Sequence, residues 1–193
     1  MEKKLSGITV YCASSVTVAK IYFEAAEMLG KEIARRGLTL ITGAGSMGLM
    51  GAVNVAALEA GGTTIGVIPQ FMVDRGWHHK GLSKLEITDG MHSRKELMAK
   101  LSRAAIALPG GIGTFEELLE IITWRQLGLY DGNIVILNVN GYYDKLIEML
   151  ETAIEQHFMK PDHKQLWKVA LTPEEAVEMA LAEDKQQTFS AKF

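Results

Sequence analysis

The stretch Pro109-Gly-Gly-Ile-Gly-Thr-Phe-Glu-Glu117 joins two elements of different type. A short apolar run, residues 104–108, precedes it, and apolar residues then recur at helical spacing over residues 115–127. A strand, a glycine loop and a helix in this order point several unpaired backbone N–H groups and the positive end of a helix dipole at one place. The sequence therefore predicts a phosphate site. Because Glu116 and Glu117 directly follow, we expect a ligand with both a phosphate and a reacting centre, such as a nucleoside 5′-monophosphate.

Outside this junction, short β-branched runs alternate with helical patterns. The predicted strands are residues 8–13, 38–42, 63–69, 85–88, 104–108, 134–139 and, weakly, 168–171, and the predicted helices are residues 19–35, 49–59, 94–103, 115–127, 143–156 and 173–182. Nearly continuous apolar strands separated by helices predict a Rossmann-like α/β fold, with a mostly parallel sheet covered by helices on both faces. We expect one domain, residues 1–183, followed by a polar tail, residues 184–193. Ligands of such folds bind at the carboxyl ends of the strands, where the glycine loops fall.

Charge and composition exclude several classes of protein. The chain has 193 residues, with 20 Lys and Arg against 23 Asp and Glu, so it offers no basic surface for polymeric nucleic acid or an anionic membrane. No apolar stretch approaches the roughly 20 residues of a membrane span, and the first residues, Met1-Glu-Lys-Lys-Leu-Ser6, lead straight into a predicted strand, so we expect a cytoplasmic protein. The only cysteine, Cys12, cannot form a disulfide within one chain and is predicted to be a buried structural thiol.

A second glycine loop, Gly43-Ala-Gly-Ser-Met-Gly48, follows the second predicted strand and fits the G-x-G-x-x-G pattern of dinucleotide-binding folds. That interpretation needs an acidic residue at the end of the next strand, but this strand ends in Pro69 and Gln70. An NAD(P) dehydrogenase is therefore disfavoured. The glycines either let a ligand approach the backbone or allow tight turns and close packing, and the sequence leaves both interpretations open.

The segment Ser93-Arg-Lys-Glu96 fits a capping box, which would put Arg94 in the first turn of a helix, on its apolar face, with Lys95 pointing elsewhere. An inward arginine needs an anion, either a ligand phosphate or Glu117, because a buried unpaired charge is costly. The alternative is an arginine that reaches solvent over its aliphatic stem.

The two glutamates after the glycine loop face different ways. Glu116 shares a polar flank with Glu120 and Thr123, whereas Glu117 lies in line with Ile121 and its neighbours on the apolar face. Glu117 is thus the better candidate for a partly desolvated carboxylate, although both residues could simply stabilise a helix N-terminus.

The remaining titratable residues give no metal signal. His78 and His79 lie in the segment 70–84, which is rich in glycine and charge, and no Cys pair or HExxH spacing accompanies them. We expect a solvated or lid-forming loop there and no metal site.

These motifs together resemble the LOG family, the cytokinin riboside 5′-monophosphate phosphoribohydrolases. Residues 109–117 match the PGGxGTxxE motif, residues 91–98 resemble the accompanying RK segment, and residues 45–51 and 123–128 also fit, in ordered register over about residues 8–181. The resemblance implies a Rossmann-like homodimer with active sites near the subunit interface. It also implies hydrolysis of the N-glycosidic bond of a purine nucleoside 5′-monophosphate, AMP or an N6-modified AMP, to free base and ribose 5-phosphate, with no metal or redox cofactor. A non-catalytic nucleotide-binding or carrier protein remains the alternative.

Carried over to this chain, the resemblance implies two catalytic residues, Arg94 and Glu117. It further implies that the following residues bind phosphate or substrate: Ser14, Gly45, Ser46, Lys95, Gly111, Ile112, Gly113, Thr114, Glu116 and Thr123. The chain departs from the family pattern at Ala44, where relatives often have glycine. It departs again in Asp74-Arg-Gly-Trp77, where many relatives carry a ligand-contacting glutamate.

Overall fold

The computed structural model describes residues 7–183, so the predicted polar tail lies outside the described residues. The strands are β1 Gly7–Tyr11, β2 Thr39–Thr42, β3 Thr63–Pro69, β4 Lys84–Thr88, β5 Ser102–Ala107, β6 Asn133–Leu137 and β7 Lys168–Ala170. The helices are α1 Lys20–Arg35, α2 Gly48–Glu59, α3 Gln70–Asp74, α4 Met91–Leu101, α5 Ile112–Gln126, α6 Asp144–Glu155 and α7 Pro173–Leu181. Short 3-10 turns cover Val139–Gly141 and Pro161–Leu166.

All seven strands form one parallel sheet in the order β4-β3-β2-β1-β5-β6-β7. The chain builds the sheet outward from β1 in one direction, then returns to the other side of β1 with β5. Connections from the carboxyl ends of β1 and β5 consequently leave in opposite directions, which opens a crevice between them. The Rossmann-like α/β prediction is confirmed.

Two apolar cores fill the space between the sheet and the helices. Side chains that alternate along the strands separate to the two faces: Ile8, Val10 and Ile106 pack under α1, α2 and α7, whereas Ala105 and Ala107 pack under α4, α5 and α6. This alternation is why the central strands read as continuous apolar runs in the sequence. None of the helices within residues 7–183 is both long and apolar enough to cross a bilayer.

The predicted elements are present with bounds shifted by a few residues, and one helix start was wrong. Helix α4 begins at Met91, not near Arg94, and Gly90 rather than Ser93 is its N-cap. The Ser93 hydroxyl accepts a hydrogen bond from the Gly90 backbone N–H (3.2 Å), so it closes the helix from inside the first turn. Glu96, the other half of the predicted capping box, is exposed and pairs with Lys100 (2.5 Å). The segment 70–84, which was predicted as a loop, begins with the short helix α3.

The loop after β1 lies between the two glycine loops. The backbone N–H of Ala13 donates to the Pro109 carbonyl, and the N–H of Met50 donates to the Ala13 carbonyl, both at 3.1 Å. Gly48 makes this approach possible, because it has a φ of +61° and a Cβ added there would lie 2.6 Å from the Ser15 carbonyl oxygen. The loops after β1, β2 and β5 are therefore held together at one edge of the sheet.

We expect Gly48→Ala to destabilise the fold more than Gly37→Ala. Both glycines have positive φ, but Gly37 is exposed and no atom lies within 4 Å of an added Cβ. Its substitution therefore costs only the penalty for a side chain in the left-handed conformation, about 1 kcal/mol. At Gly48 a methyl group also collides with the backbone of Ser14 and Ser15, and the expected loss is about 3 kcal/mol. Urea unfolding of the two variants measures the difference; equal losses would contradict the close packing of these loops.

Candidate active site

The first glycine loop ends in an open helix N-terminus. Gly111 is the N-cap of α5, and its carbonyl accepts the first helical hydrogen bond, from the Phe115 N–H (3.0 Å). The N–H groups of Ile112, Gly113 and Thr114 lie in the first turn and have no carbonyl before them in the helix. A Cβ at Gly111 or Gly113 would meet nothing within 4 Å, and Ile112 is 82% exposed. This first turn is thus open to a ligand and suited to an anion.

Arg94 points inward, as predicted, but its partners are not carboxylates. It is 6% exposed, its Nε donates to the Val67 carbonyl (3.0 Å) and its Nη2 donates to the Gly43 carbonyl (3.1 Å). Any side chain at Gly43 would occupy the place of the guanidinium. The arginine does not reach solvent over its stem, and it makes no direct ion pair with Glu117 within the described part of the chain. Within residues 7–183, the one hydrogen-bond partner of its Nη1 is the Met91 sulfur (3.8 Å), so this amino group can bind an oxygen of a ligand.

Glu117 is the buried carboxylate of the site. It is 9% exposed, and burial raises its pKa to about 7. The nearby Arg94 guanidinium opposes this shift most strongly, while the charges of Glu116 and Glu120 add to it and that of Lys95 reduces it. No hydrogen bond to this carboxylate is present among residues 7–183. A carboxyl group with a pKa near neutrality can accept or hold a proton during a reaction.

Lys95 differs from the expectation that it points away from the buried face of α4. It is 6% exposed, and its ammonium group donates to the Glu116 carboxylate and, at 3.0 Å, to that of Glu120. Burial lowers the pKa of Lys95, but the two carboxylates outweigh burial and the net shift is upward. Lys95 therefore stays charged and ties α4, which carries Arg94, to α5, which carries Glu117.

Thr123 lies on the same flank as Glu116, about two turns further along α5. It is exposed, and its hydroxyl donates to the Leu119 carbonyl of its own helix (2.8 Å). Thr123 is thus separated from the open first turn of α5 by about two helical turns.

The second glycine loop supports the packing interpretation of its glycines. A Cβ at Gly45 would meet the Met50 sulfur at 2.9 Å, and one at Gly51 would collide with the Ser46 backbone. Ser46 itself is exposed beside these packed positions, at the carboxyl end of β2. Ala44, the departure from the family pattern, is fully buried with a φ of +64°.

The histidine segment, residues 70–84, is largely exposed, as expected of a solvated loop, but its two histidines are attached to this glycine loop. The N–H of His79 donates to the Ala44 carbonyl (2.8 Å), and His78 forms a single antiparallel bridge with Gly45. Within residues 7–183, no group of three or more His, Cys, Asp or Glu side chains is placed to hold a metal ion.

Ser14 and Cys12 follow β1. Ser14 is exposed, and its backbone lies against Gly48. Cys12 is buried, and burial raises the pKa of its thiol well above the ordinary range. The predicted burial of Cys12 is confirmed, and a buried thiol of raised pKa is a poor nucleophile.

Two residues at this edge were missed by the sequence reasoning. The Tyr142 hydroxyl donates to the Gly110 carbonyl (2.5 Å), and the Tyr143 hydroxyl donates to the Leu108 carbonyl (2.7 Å). The sequence analysis places Tyr143 at the beginning of a predicted helix and assigns Tyr142 to no element, because no local pattern tells which neighbouring loop a side chain will reach. The only sequence signal was the pair of tyrosines directly after Gly141.

The site residues thus lie on loops from four neighbouring strands. The open first turn of α5 and the residues Ser14, Gly45 and Ser46 surround the carboxyl ends of β5, β1 and β2, while Arg94 reaches the backbone of β3 from α4. An open helix N-terminus, a fixed cation and a buried carboxylate of raised pKa lie at the edge of the sheet where the strand order reverses.

Comparison with known proteins gives a consistent picture. Residues 50–180 match the family model described as "Possible lysine decarboxylase". The chain is 42% identical over 176 residues to the cytokinin riboside 5′-monophosphate phosphoribohydrolase LOG3 of Arabidopsis thaliana, covering 91% of this chain and 82% of that protein. It is also 42% identical over 170 residues to the cytokinin riboside 5′-monophosphate phosphoribohydrolase LOG of Oryza sativa subsp. japonica, covering 88% of this chain and 70% of that protein.

Solved structures with the same fold include carrier proteins. The molybdenum cofactor carrier protein of Chlamydomonas reinhardtii superposes with a TM-score of 0.66 at 26% identity, over 89% of this chain and 92% of that one. The molybdenum cofactor binding protein of Rippkaea orientalis has a TM-score of 0.68 at 21% identity, over 92% of this chain and 96% of that one, which shows a shared fold alone. The family model and the sequence relatives, which extend over most of the chain, establish that this protein belongs to the LOG family.

Proposed function

We propose that this protein is a hydrolase that cleaves the N-glycosidic bond of purine nucleoside 5′-monophosphates, AMP or an N6-modified AMP, to free base and ribose 5-phosphate. The observation that carries the proposal is Glu117, a buried carboxylate with a pKa of about 7, which follows the open helix N-terminus at Gly111–Thr114 by one turn. The sequence relatives named phosphoribohydrolases support it.

The phosphate supplies binding energy away from the reacting bond. Backbone N–H groups in the first turn of α5 bind it, with Thr114, whose side chain is buried against Gly110. This contact fixes the ribose relative to Glu117, so that positioning contributes to catalysis before any bond changes. Ser14, Gly45 and Ser46, on the neighbouring loops, complete the substrate pocket.

Cleavage breaks the bond between the anomeric carbon and the base nitrogen, and the electron pair leaves with the base. Positive charge then develops on the ribose, and the ionised Glu117 carboxylate stabilises it. Water forms the new bond to the anomeric carbon, one of its protons is released, and the base nitrogen takes up a proton. Since its pKa is about 7, Glu117 is ionised in a large fraction of molecules at neutral pH and can also orient this water.

Arg94 supplies the positive charge that keeps Glu117 ionisable in spite of burial. Two backbone carbonyls fix its guanidinium, and Nη1 remains to bind a phosphate or ribose oxygen. The position of Lys95 argues against decarboxylation through an imine on this lysine, because its ammonium is paired with two carboxylates and its pKa is raised.

A carrier of an intact nucleotide is the second candidate. The similarity in fold and sequence to the molybdenum cofactor carrier protein of Chlamydomonas reinhardtii favours it. A carrier needs the anion site but does not need a buried carboxylate of raised pKa. The hydrolase therefore requires Glu117, and the carrier does not.

We further infer a cytoplasmic homodimer with active sites near the subunit interface, as the family resemblance implies. Exposed apolar side chains on α5 and just after it, including Ile112 (82%), Leu119 (39%) and Leu129 (71%), support an association beside the site. Light scattering should give twice the monomer mass, 21.2 kDa, for the active protein. A fully active monomer would contradict the dimer.

Replacing Glu117 with glutamine tests the catalytic assignment. Glu117→Gln keeps the volume of the side chain but removes its charge, so we expect AMP binding to persist while kcat falls by roughly 10²-fold or more. Glu116→Gln is the matched control, because Glu116 is exposed and its main contact is the ion pair with Lys95. Its effect on kcat should be much smaller. A folded Glu117→Gln variant that cleaves AMP at the parental rate would remove Glu117 from the mechanism.

The same substitution should change how stability depends on pH. Because the pKa of Glu117 is about 7 in the folded protein and 4.5 as the ordinary value, the folded state holds a proton that the unfolded chain has lost between these values. The stability that this group provides is present below pH 4.5 and is lost as the pH rises to about 7. The loss in the free energy of unfolding is on the order of 3 kcal/mol. Glu117→Gln should therefore gain stability relative to the parent as the pH rises through this window. Chemical unfolding at several pH values measures the difference in stability between the parent and the variant. A difference that does not depend on pH would show that Glu117 is not desolvated.

A further inference from the structure

Two tyrosines hold the backbone of the phosphate loop, and the proposed reaction assigns them no role. Three successive carbonyls of this loop accept hydrogen bonds: Leu108 from the Tyr143 hydroxyl (2.7 Å), Pro109 from the Ala13 N–H (3.1 Å) and Gly110 from the Tyr142 hydroxyl (2.5 Å). Donors from the segments that follow β1 and β6, the two neighbours of β5 in the sheet, thus fix a loop that is rich in glycine.

A sharp turn after β6 places the tyrosines there. Asn138 follows the strand, and its side chain accepts from the Tyr143 N–H (2.7 Å) and donates to Asp144 (2.7 Å). Between them, Asn140 and Gly141 have φ values of 52° and 70°, in the left-handed region that asparagine and glycine tolerate best. The turn directs both hydroxyls toward the loop after β5, the neighbour of β6 in the sheet.

The bond from Tyr142 sets the direction of one N–H group. In a planar trans peptide the C=O and the N–H point in opposite directions. The Gly110 carbonyl belongs to the same peptide as the Gly111 N–H, so a carbonyl held by Tyr142 turns that N–H to the other side, at the beginning of α5. At one end of this peptide Gly110 is packed against Thr114, whereas Gly111 has no neighbour within 4 Å of an added Cβ, so the hydrogen bond from Tyr142 adds a restraint that packing at Gly111 does not supply.

We propose that Tyr142 is a positioning residue for anion binding, which fixes the Gly110–Gly111 peptide so that its N–H faces the phosphate of the substrate. Tyr143 fixes the preceding part of the loop in the same way, but its partner peptide ends in Pro109 and carries no N–H. The identification of the anion as a nucleotide phosphate rests on the proposed function, whereas the orienting role rests on the hydrogen bond itself.

The ring of Tyr142 is held independently of its hydroxyl. It packs edge-to-face on Tyr22 (centroids 5.9 Å apart) and Tyr143 (5.0 Å), and it stacks on Phe115 (6.4 Å). Burial raises the pKa of the Tyr142 hydroxyl, so it remains a protonated donor at neutral pH. Tyr142→Phe therefore removes one hydrogen bond and leaves the aromatic cluster in place.

Tyr22→Phe is the matched control. Tyr22 belongs to the same ring cluster, and its hydroxyl makes no hydrogen bond within residues 7–183. The wild type and both variants are compared for binding of ribose 5-phosphate by calorimetry, and for kcat and KM with AMP and with adenosine, which lacks the phosphate.

Tyr142→Phe should bind ribose 5-phosphate about fivefold more weakly, the factor that one hydrogen bond typically contributes. KM for AMP should rise by a similar factor with kcat little changed, while kcat/KM for adenosine stays as in the wild type. Tyr22→Phe should match the wild type throughout. A role confined to fold stability would lower AMP and adenosine cleavage alike.

Equal affinity of the wild type and Tyr142→Phe for ribose 5-phosphate would overturn the inference. An equal loss of affinity in Tyr22→Phe, or a wild type that does not bind ribose 5-phosphate at all, would also overturn it. The binding measurement separates this inference from the proposed function. If the protein binds ribose 5-phosphate in a Tyr142-dependent manner but leaves AMP intact, the positioning role stands and the hydrolase proposal falls.

Discussion

The site depends on one interaction, that between the Glu117 carboxylate and the Arg94 guanidinium. The carboxylate is buried, and the guanidinium beside it is already held by backbone carbonyls. Desolvation alone would keep this carboxyl protonated, and a freely mobile arginine would pair with it directly. The carbonyls of Val67 and Gly43 accept hydrogen bonds from Nε and Nη2 of Arg94 and hold its guanidinium near Glu117 without a direct ion pair. The resulting pKa of Glu117 is about 7, so this carboxyl is neither always charged nor always neutral near neutral pH. The remaining features of the site support this arrangement: Gly43 leaves room for the guanidinium, and Lys95 compensates the two carboxylates that flank Glu117 on α5.

The sheet topology explains why these groups meet. Reversal of the strand order between β1 and β5 leaves their carboxyl ends open, and the Ala13–Pro109 hydrogen bond joins the two loops across that opening. Helices α4 and α5 both pack on the same face of the sheet, so the Lys95 ion pairs can connect the helix that carries Arg94 to the one that carries Glu117.

Much of this could be predicted from the sequence, because it depends on local patterns. The apolar periodicity located the strands and helices, and helical spacing separated the buried Glu117 from the exposed Glu116. Contacts between distant segments could not be predicted. The partners of Arg94 are backbone carbonyls on β3 and the loop after β2, which leave no trace in residue type. Lys95 looked like a residue outside the buried face until the position of α5 was known, and Tyr142 reaches Gly110 across 32 positions of sequence.

The most direct test of the account is to incubate the protein with AMP and separate the products by chromatography. We expect free adenine and ribose 5-phosphate in equal amounts, formed over many turnovers. Retention of one intact AMP per active site, or release of adenosine with inorganic phosphate, would contradict the assignment of Glu117 and Arg94 to cleavage of the glycosidic bond.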